Sequence, residues 1–147
     1  MKNSLQRKKK PSSILNYALN LLSRKDYSEY ELRGKLSTYF DSGIEEVIFK
    51  LKERGLLSDE RYALRLIDRY IKKKYGFLKI KVELEKRGLR EFNDILSNLY
   101  TDDLEKENIK YFLHKKPKEK LYAYLIQKGF RPHIVQEVLA EKNNLGR

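Results

Sequence analysis

The sequence predicts an all-α protein: three tandem three-helix repeats in an elongated array. Three observations carry that prediction. Apolar residues recur at helical spacing from end to end, and no segment shows the alternation of a half-buried strand. Leu15, Ala18, Leu19, Leu32, Leu36, Ile44, Val47, Ile48 and Leu51 each find an apolar residue 48 positions later without a gap, at Ala63, Leu66, Ile67, Ile80, Leu84, Phe92, Ile95, Leu96 and Leu99. A weaker copy comes next. Ile80, Leu84, Gly88 and Leu89 shift by 41 onto Leu121, Leu125, Gly129 and Phe130, and one inserted residue then carries Phe92 to Ile134 and Leu96 to Val138. Copied helical units bury their apolar faces against one another, and terminal copies diverge because one face lacks a neighbour. Such arrays recognise partners along a surface, which points away from a pocket enzyme.

Taken in order, residues 1–12 read as a disordered basic tail, since Pro11 and two serines break any continuation into a helix. The first repeat spans 13–57. Its first helix runs from Ile14 to about Arg24. Ser28 and Glu31 form a capping box for the second, and Ser42 and Glu45 have the same spacing before the third. Gly55 suits the left-handed residue that ends a helix. The second repeat spans 58–100. Ser58, Asp59 and Glu60 open a helix that runs to about Lys74 and is stopped by Gly76. A second helix, roughly Leu78 to Arg87, is stopped by Gly88, and a third runs from about Glu91 to Tyr100. The divergent third repeat spans 101–143. Thr101, Asp102 and Asp103 open it, and Pro117 and Pro132 fit first-turn positions, where a missing N–H costs little. Tyr17, Tyr30, Phe49, Tyr62, Tyr70, Phe112 and Tyr124 sit at helical spacing with aliphatic residues and read as packing residues. Tyr75 and Phe77 flank Gly76 and are read equally as partner contacts or as anchors of a turn.

The chain has 147 residues and no Cys or Trp, which excludes disulfides and thiolate metal sites and fits a reducing cytosol. No apolar run is long enough to cross a bilayer, and no apolar stretch of signal-peptide type succeeds the basic N-terminus. The net charge of +12 is concentrated. Residues 1–10 hold five cations and no acid. Residues 69–90 hold nine: Arg69, Lys72, Lys73, Lys74, Lys79, Lys81, Lys86, Arg87 and Arg90, against Glu83 and Glu85 alone. A concentrated basic surface calls for a polyanion or an acidic groove. Lys72, Lys73, Lys74, Lys79, Lys81, Lys86, Arg87 and Arg90 are therefore the candidate partner-binding and nucleic-acid-binding residues.

No catalytic constellation is visible. His114 and His133 are the only histidines, lie 19 residues apart and have no spaced carboxylates to complete a metal site. The acidic pairs Glu45–Glu46 and Asp102–Asp103 stand where helices begin, so capping and the helix dipole account for them. Neither a glycine-rich phosphate loop nor a nucleophile elbow occurs. No cofactor is expected.

Leu21-Leu22-Ser23-Arg24, then Ser28, Glu31-Leu32 and Lys35-Leu36, resembles the opening signature of the RecX regulatory proteins of bacteria. Gly55-Leu56-Leu57-Ser58-Asp59-Glu60-Arg61-Tyr62-Ala63 is similar to that family's central signature. Gly76, Lys79-Ile80, Glu83-Leu84 and Gly88-Leu89 are similar to its second-repeat signature. The resemblance covers about residues 14–140. Lys79 stands where the family often has Arg, which keeps the charge and gives up bidentate geometry; Ser58 stands where Asp is common. The resemblance implies a curved, elongated molecule with no enzymatic activity. It implies a protein that binds the RecA recombinase filament on single-stranded DNA and restrains filament growth, ATP hydrolysis, strand exchange and induced repressor cleavage in the SOS response. A monomeric, cytoplasmic protein of DNA repair and recombination is the resulting expectation. The alternative left open by the residues is a stand-alone helical DNA- or RNA-binding module that uses the basic segment 69–90.

Overall fold

The computed structural model describes residues 13–145, so the basic tail expected over residues 1–12 lies outside the described residues. Among the described residues there are nine α-helices and no strand. They are α1 (Ile14–Arg24), α2 (Glu29–Ser37), α3 (Ile44–Glu53), α4 (Asp59–Lys72), α5 (Phe77–Lys86), α6 (Asn93–Leu99), α7 (Asp102–Tyr111), α8 (Lys118–Gln127) and α9 (Pro132–Leu145). A 3-10 turn, Arg90–Phe92, leads into α6. The protein is all-helical, as its periodicity requires.

The hydroxyl of the preceding residue caps four of the nine helices, because the first backbone N–H groups of a helix have no partner within it. Ser13 accepts from the Asn16 N–H, Ser58 from Arg61 and Thr101 from Leu104. At α2 the capping box is complete: Ser28 Oγ accepts from the Glu31 N–H while Glu31 accepts from the Ser28 N–H, both at 3.0 Å. The expected box at Ser42 and Glu45 does not form. Gly43, at φ 84°, takes the N-cap position of α3 without a side-chain cap, and the Glu45 carboxylate is held instead by Arg33 at 2.8 Å.

The chain divides into two compact units, residues up to Tyr62 and residues from Ala63 onward. In the first unit Ala18, Tyr27, Leu32, Leu36, Val47, Ile48, Leu51 and Leu57 form a buried cluster joined by Leu15, Leu19 and Ile44. All nine predicted repeat positions are among them; Tyr27 and Leu57 join the buried set, and Ile14, Tyr17, Leu21 and Leu22 also pack against it. In the second unit Ala63, Leu66, Ile67, Ile80, Leu84, Leu89 and Leu96 are fully buried. Ile109, Phe112, Leu121, Leu125, Phe130, Ile134, Val135 and Val138 form a further cluster within it.

Three further expectations are corrected. Leu99, a core position by its periodicity, is 44% exposed, while Tyr100 is 1% exposed. Leu99 is the last residue of α6, and Tyr100, four residues beyond Leu96 and hydrogen-bonded through its N–H to the Leu96 carbonyl, takes the buried side in its place. Tyr30 and Phe49, packing residues by their spacing, are 66% and 63% exposed. Their neighbours three and four residues away along the helix are Arg33 and Gly34 for Tyr30 and Glu45, Glu46, Lys52 and Glu53 for Phe49, so each lies on the polar side of its helix, away from Leu32, Leu36, Val47 and Ile48. Finally, Gly76 does not stop α4. Lys74 takes the left-handed conformation at φ 63°, and Tyr75 N–H donates to the Tyr70 carbonyl at 3.1 Å, closing the helix end.

Gly76 is needed for a different reason. Its N–H donates to the Lys128 carbonyl at 2.9 Å, and Leu78 N–H donates to the Gly129 carbonyl at 2.8 Å. A Cβ on Gly76 would overlap the Gly129–Phe130 backbone, and one on Gly129 would meet Lys79. The two turns touch backbone to backbone, and side chains are excluded at both contact points.

Candidate functional site

The eight predicted cations lie in the second unit, on the end of α4, on α5 and just after it. They do not share one role. Lys73, Lys81 and Arg90 are exposed, and no carboxylate pairs with them among the described residues. Lys72 pairs with Asp68 at 3.0 Å across one turn. Lys74, fixed in its left-handed conformation, points its ammonium at the Tyr111 ring, 5.0 Å from the centroid.

Lys79, Lys86 and Arg87 converge on one carboxylate. Glu83 is only 5% exposed. Arg87 lies at 2.6 Å from it, Lys79 at 3.3 Å and Lys86 at 3.4 Å. The spacings of four, three and four residues place all of them on one side of α5. Tyr70 of α4 offers its hydroxyl at 3.5 Å. Burial works to raise the Glu83 pKa, but the hydrogen bonds from Arg87, Lys79 and Lys86 outweigh it and hold the carboxyl at about 2. Arg87 also donates to the Glu83 carbonyl. These three cations brace α5, and a partner meets less free charge here than the sequence count suggests.

Positive charge is added from a segment that charge counting along the chain does not single out. Lys115, Lys116 and Lys128 surround a run of rings in the same unit. Lys115 Nζ lies 4.6 Å from the Tyr111 centroid and Lys116 Nζ lies 4.5 Å from that of Tyr124. Lys128 Nζ lies 4.3 Å from the Tyr75 centroid and 5.1 Å from that of Phe112. Tyr111 meets Phe112 edge-on at 5.0 Å, and Phe112 meets Tyr124 at 5.5 Å, so the rings are continuous. Burial, with Lys116 as a second cause, pushes the Lys128 pKa down. The backbone contact at Gly76 and Gly129 is what brings Tyr75 beside Lys128. Tyr75 is thus both a turn anchor and part of this face. Phe77 is an anchor: it stacks on Tyr100 and lies under Arg131.

Behind the face lies a buried polar frame. The Tyr100 hydroxyl donates to the Tyr75 carbonyl at 2.6 Å and accepts from Asn108 at 2.9 Å, and Asn108 also donates to the Ile71 carbonyl. Burial pushes the Tyr100 pKa well up. Glu105, fully buried, accepts from the N–H groups of Phe77 and Arg131 and from the Arg131 guanidinium. One carboxylate therefore serves the starts of both α5 and α9, where the helix dipole favours negative charge.

The first unit has two open concavities, about 720 and 610 Å³ in volume, both lined by Arg33, Glu45 and Glu46. Exposed Tyr30 lines one and exposed Phe49 the other. The hydrogen bond from Arg33 lowers the Glu45 pKa. His114 and His133 are exposed, and no group of potential metal ligands occurs among the described residues. Among them, too, no helix is long and apolar enough to cross a membrane.

Comparison with known proteins places these features in a family. Residues 15–51 match the model of the first three-helix domain of RecX. Regulatory protein RecX of Caldanaerobacter subterraneus subsp. tengcongensis is 31% identical over 133 residues, covering 84% of this chain and 68% of that protein. Regulatory protein RecX of Actinobacillus pleuropneumoniae serotype 5b is 30% identical over 134 residues, covering 80% and 85%. The crystal structure of RecX from Lactobacillus salivarius superposes with a TM-score of 0.78 at 26% identity, covering 87% of this chain and 93% of that one.

Proposed function

The chain belongs to the RecX family, and on that premise we propose that it is a non-enzymatic regulator that binds a RecA-type recombinase filament on single-stranded DNA and restrains its growth. Its relatives are regulatory proteins by name. In this reading the protein acts as a monomer in the cytoplasm during DNA repair and recombination and damps the SOS response. Family membership carries the proposal. The basic face of the second unit supports it, because a filament groove lined by protein and nucleic acid is the kind of surface that such a face complements.

The test is ATP hydrolysis by the host's recombinase on single-stranded DNA, with and without this protein. Slowed hydrolysis is the expected result; an unchanged rate over a hundredfold range of concentration refutes the proposal. Reversal of Lys72, Lys73 and Lys74 to Glu should weaken the restraint, most visibly at low salt. A triple variant that folds and still restrains the filament at the parent's concentration removes that segment from the binding surface.

A further inference from the structure

We propose that Lys115, Lys116 and Lys128, with Tyr75, Tyr111 and Tyr124, form a face that binds single-stranded nucleic acid directly, without a recombinase. Three observations carry this. The lysines meet aromatic rings instead of carboxylates, and among the described residues no carboxylate pairs with any of the three. An ammonium over a ring face keeps its hydrogens available to phosphate oxygens, whereas an ion-paired one has spent them. The positive charge is also self-opposed. Lys74 and Lys115 lie against the same Tyr111 ring, and Lys116 and Lys128 lie against the same Tyr124 ring. An anion relieves that repulsion. Finally, the rings are continuous and Tyr111 is half exposed.

Lysines interleaved with accessible rings suit a strand whose bases are unpaired. Phosphates take the ammoniums, and a base takes the place of an ammonium on the ring. Duplex bases are already stacked and cannot use the rings, and a polyacidic chain such as polyglutamate has no aromatic face to stack on them. This face is distinct from Lys72, Lys73, Lys81 and Arg90, and binding here is independent of the filament reading.

The experiment is fluorescence anisotropy of a labelled 20-mer of deoxythymidine, titrated with the full chain in the absence of recombinase across a salt series. Lys115→Ala with Lys116→Ala, both at exposed positions, should weaken binding and reduce the slope of log affinity against log salt by about 1.4, two phosphate contacts at about 0.7 each. Tyr111→Ala should weaken binding about tenfold and leave the slope unchanged, and Tyr111→Phe should bind like the parent. A duplex of the same length should bind more weakly than the single strand, and polyglutamate should compete poorly at equal charge. An unchanged slope in the double lysine variant, equal affinity for duplex, or equal competition by polyglutamate overturns the proposal. Circular dichroism checks the fold of each variant. Should Tyr111→Ala fail to fold, the lysine pair and the duplex comparison still decide. Loss of ATPase restraint is read in a separate assay, so this proposal and the filament proposal fail independently.

Discussion

Replacing Glu83 by Gln removes one buried negative charge and leaves three cations without it. The magnitude comes from the carboxyl's own titration. Its pKa falls from 4.5 to about 2 on folding, which at about 1.36 kcal/mol per unit corresponds to about 3 kcal/mol of stability. Lys79 and Lys86 reach solvent, where screening weakens an ion pair, so about 1–2 kcal/mol is the expected loss at pH 7. A folded-state pKa below the unfolded one stabilises above the unfolded pKa. That contribution is fully present above about pH 5 and disappears as pH falls through about 2, with roughly half gone by pH 3. Urea unfolding of parent and Glu83→Gln, monitored by circular dichroism at pH 7, 4 and 3, measures the gap. The gap should narrow steadily below pH 4.5. A constant gap across that range would mean that the variant suffers from amide packing alone and that the ion-pair cluster adds nothing to stability.

Other substitutions probe the frame around this cluster. Leu84→Ala, at a fully buried repeat position, should cost about 2–5 kcal/mol in denaturant unfolding; an unchanged midpoint would remove Leu84 from the core. Gly76→Ala should destabilise by about 1–3 kcal/mol or more, because its Cβ meets the Gly129–Phe130 backbone, which cannot move aside as a side chain would. Gly34→Ala is the matched control, since a Cβ there meets nothing, and it should be neutral or slightly stabilising. Tyr100→Phe leaves the Tyr75 carbonyl and one Asn108 hydrogen without their partner and should cost about 1–3 kcal/mol. A thermal midpoint equal to the parent's would show that water satisfies those groups.

The helical architecture is legible in the sequence because apolar periodicity and caps are local signals. Ser28 with Glu31, Ser58 and Thr101 cap the helices they precede, and eight of the nine positions shifted by 48 are at least partly buried. Leu99 escapes that reading because α6 ends there, and Tyr100, one helical turn beyond Leu96, fills the buried position instead. Tyr30 and Phe49 are misread because an aromatic near aliphatic residues in sequence need not share their face: Arg33 and Gly34 flank Tyr30, and Glu45, Glu46, Lys52 and Glu53 flank Phe49, one turn away. Gly76 looks like a helix terminator in sequence because a close approach between two turns distant along the chain leaves no local mark.

The candidate site is half legible for a related reason. Counting charge along the chain finds Lys72, Lys73 and Lys74, but it treats every cation as equal. Folding sorts them. Glu83 draws in Lys79, Lys86 and Arg87, while Lys115, Lys116 and Lys128, from two other segments, are directed at rings. The cations that a partner can engage are those whose folded neighbours are solvent or aromatic, since an ammonium already on a carboxylate must give up that bond before it can take a phosphate. Local charge density therefore overstates the α5 end of this surface and understates the α7–α8 turn. One local signal is present even so: Tyr111 lies four residues before Lys115 and the turn between them brings the ammonium to that ring, whereas Lys116 reaches Tyr124 of the next helix, which spacing along the chain does not show.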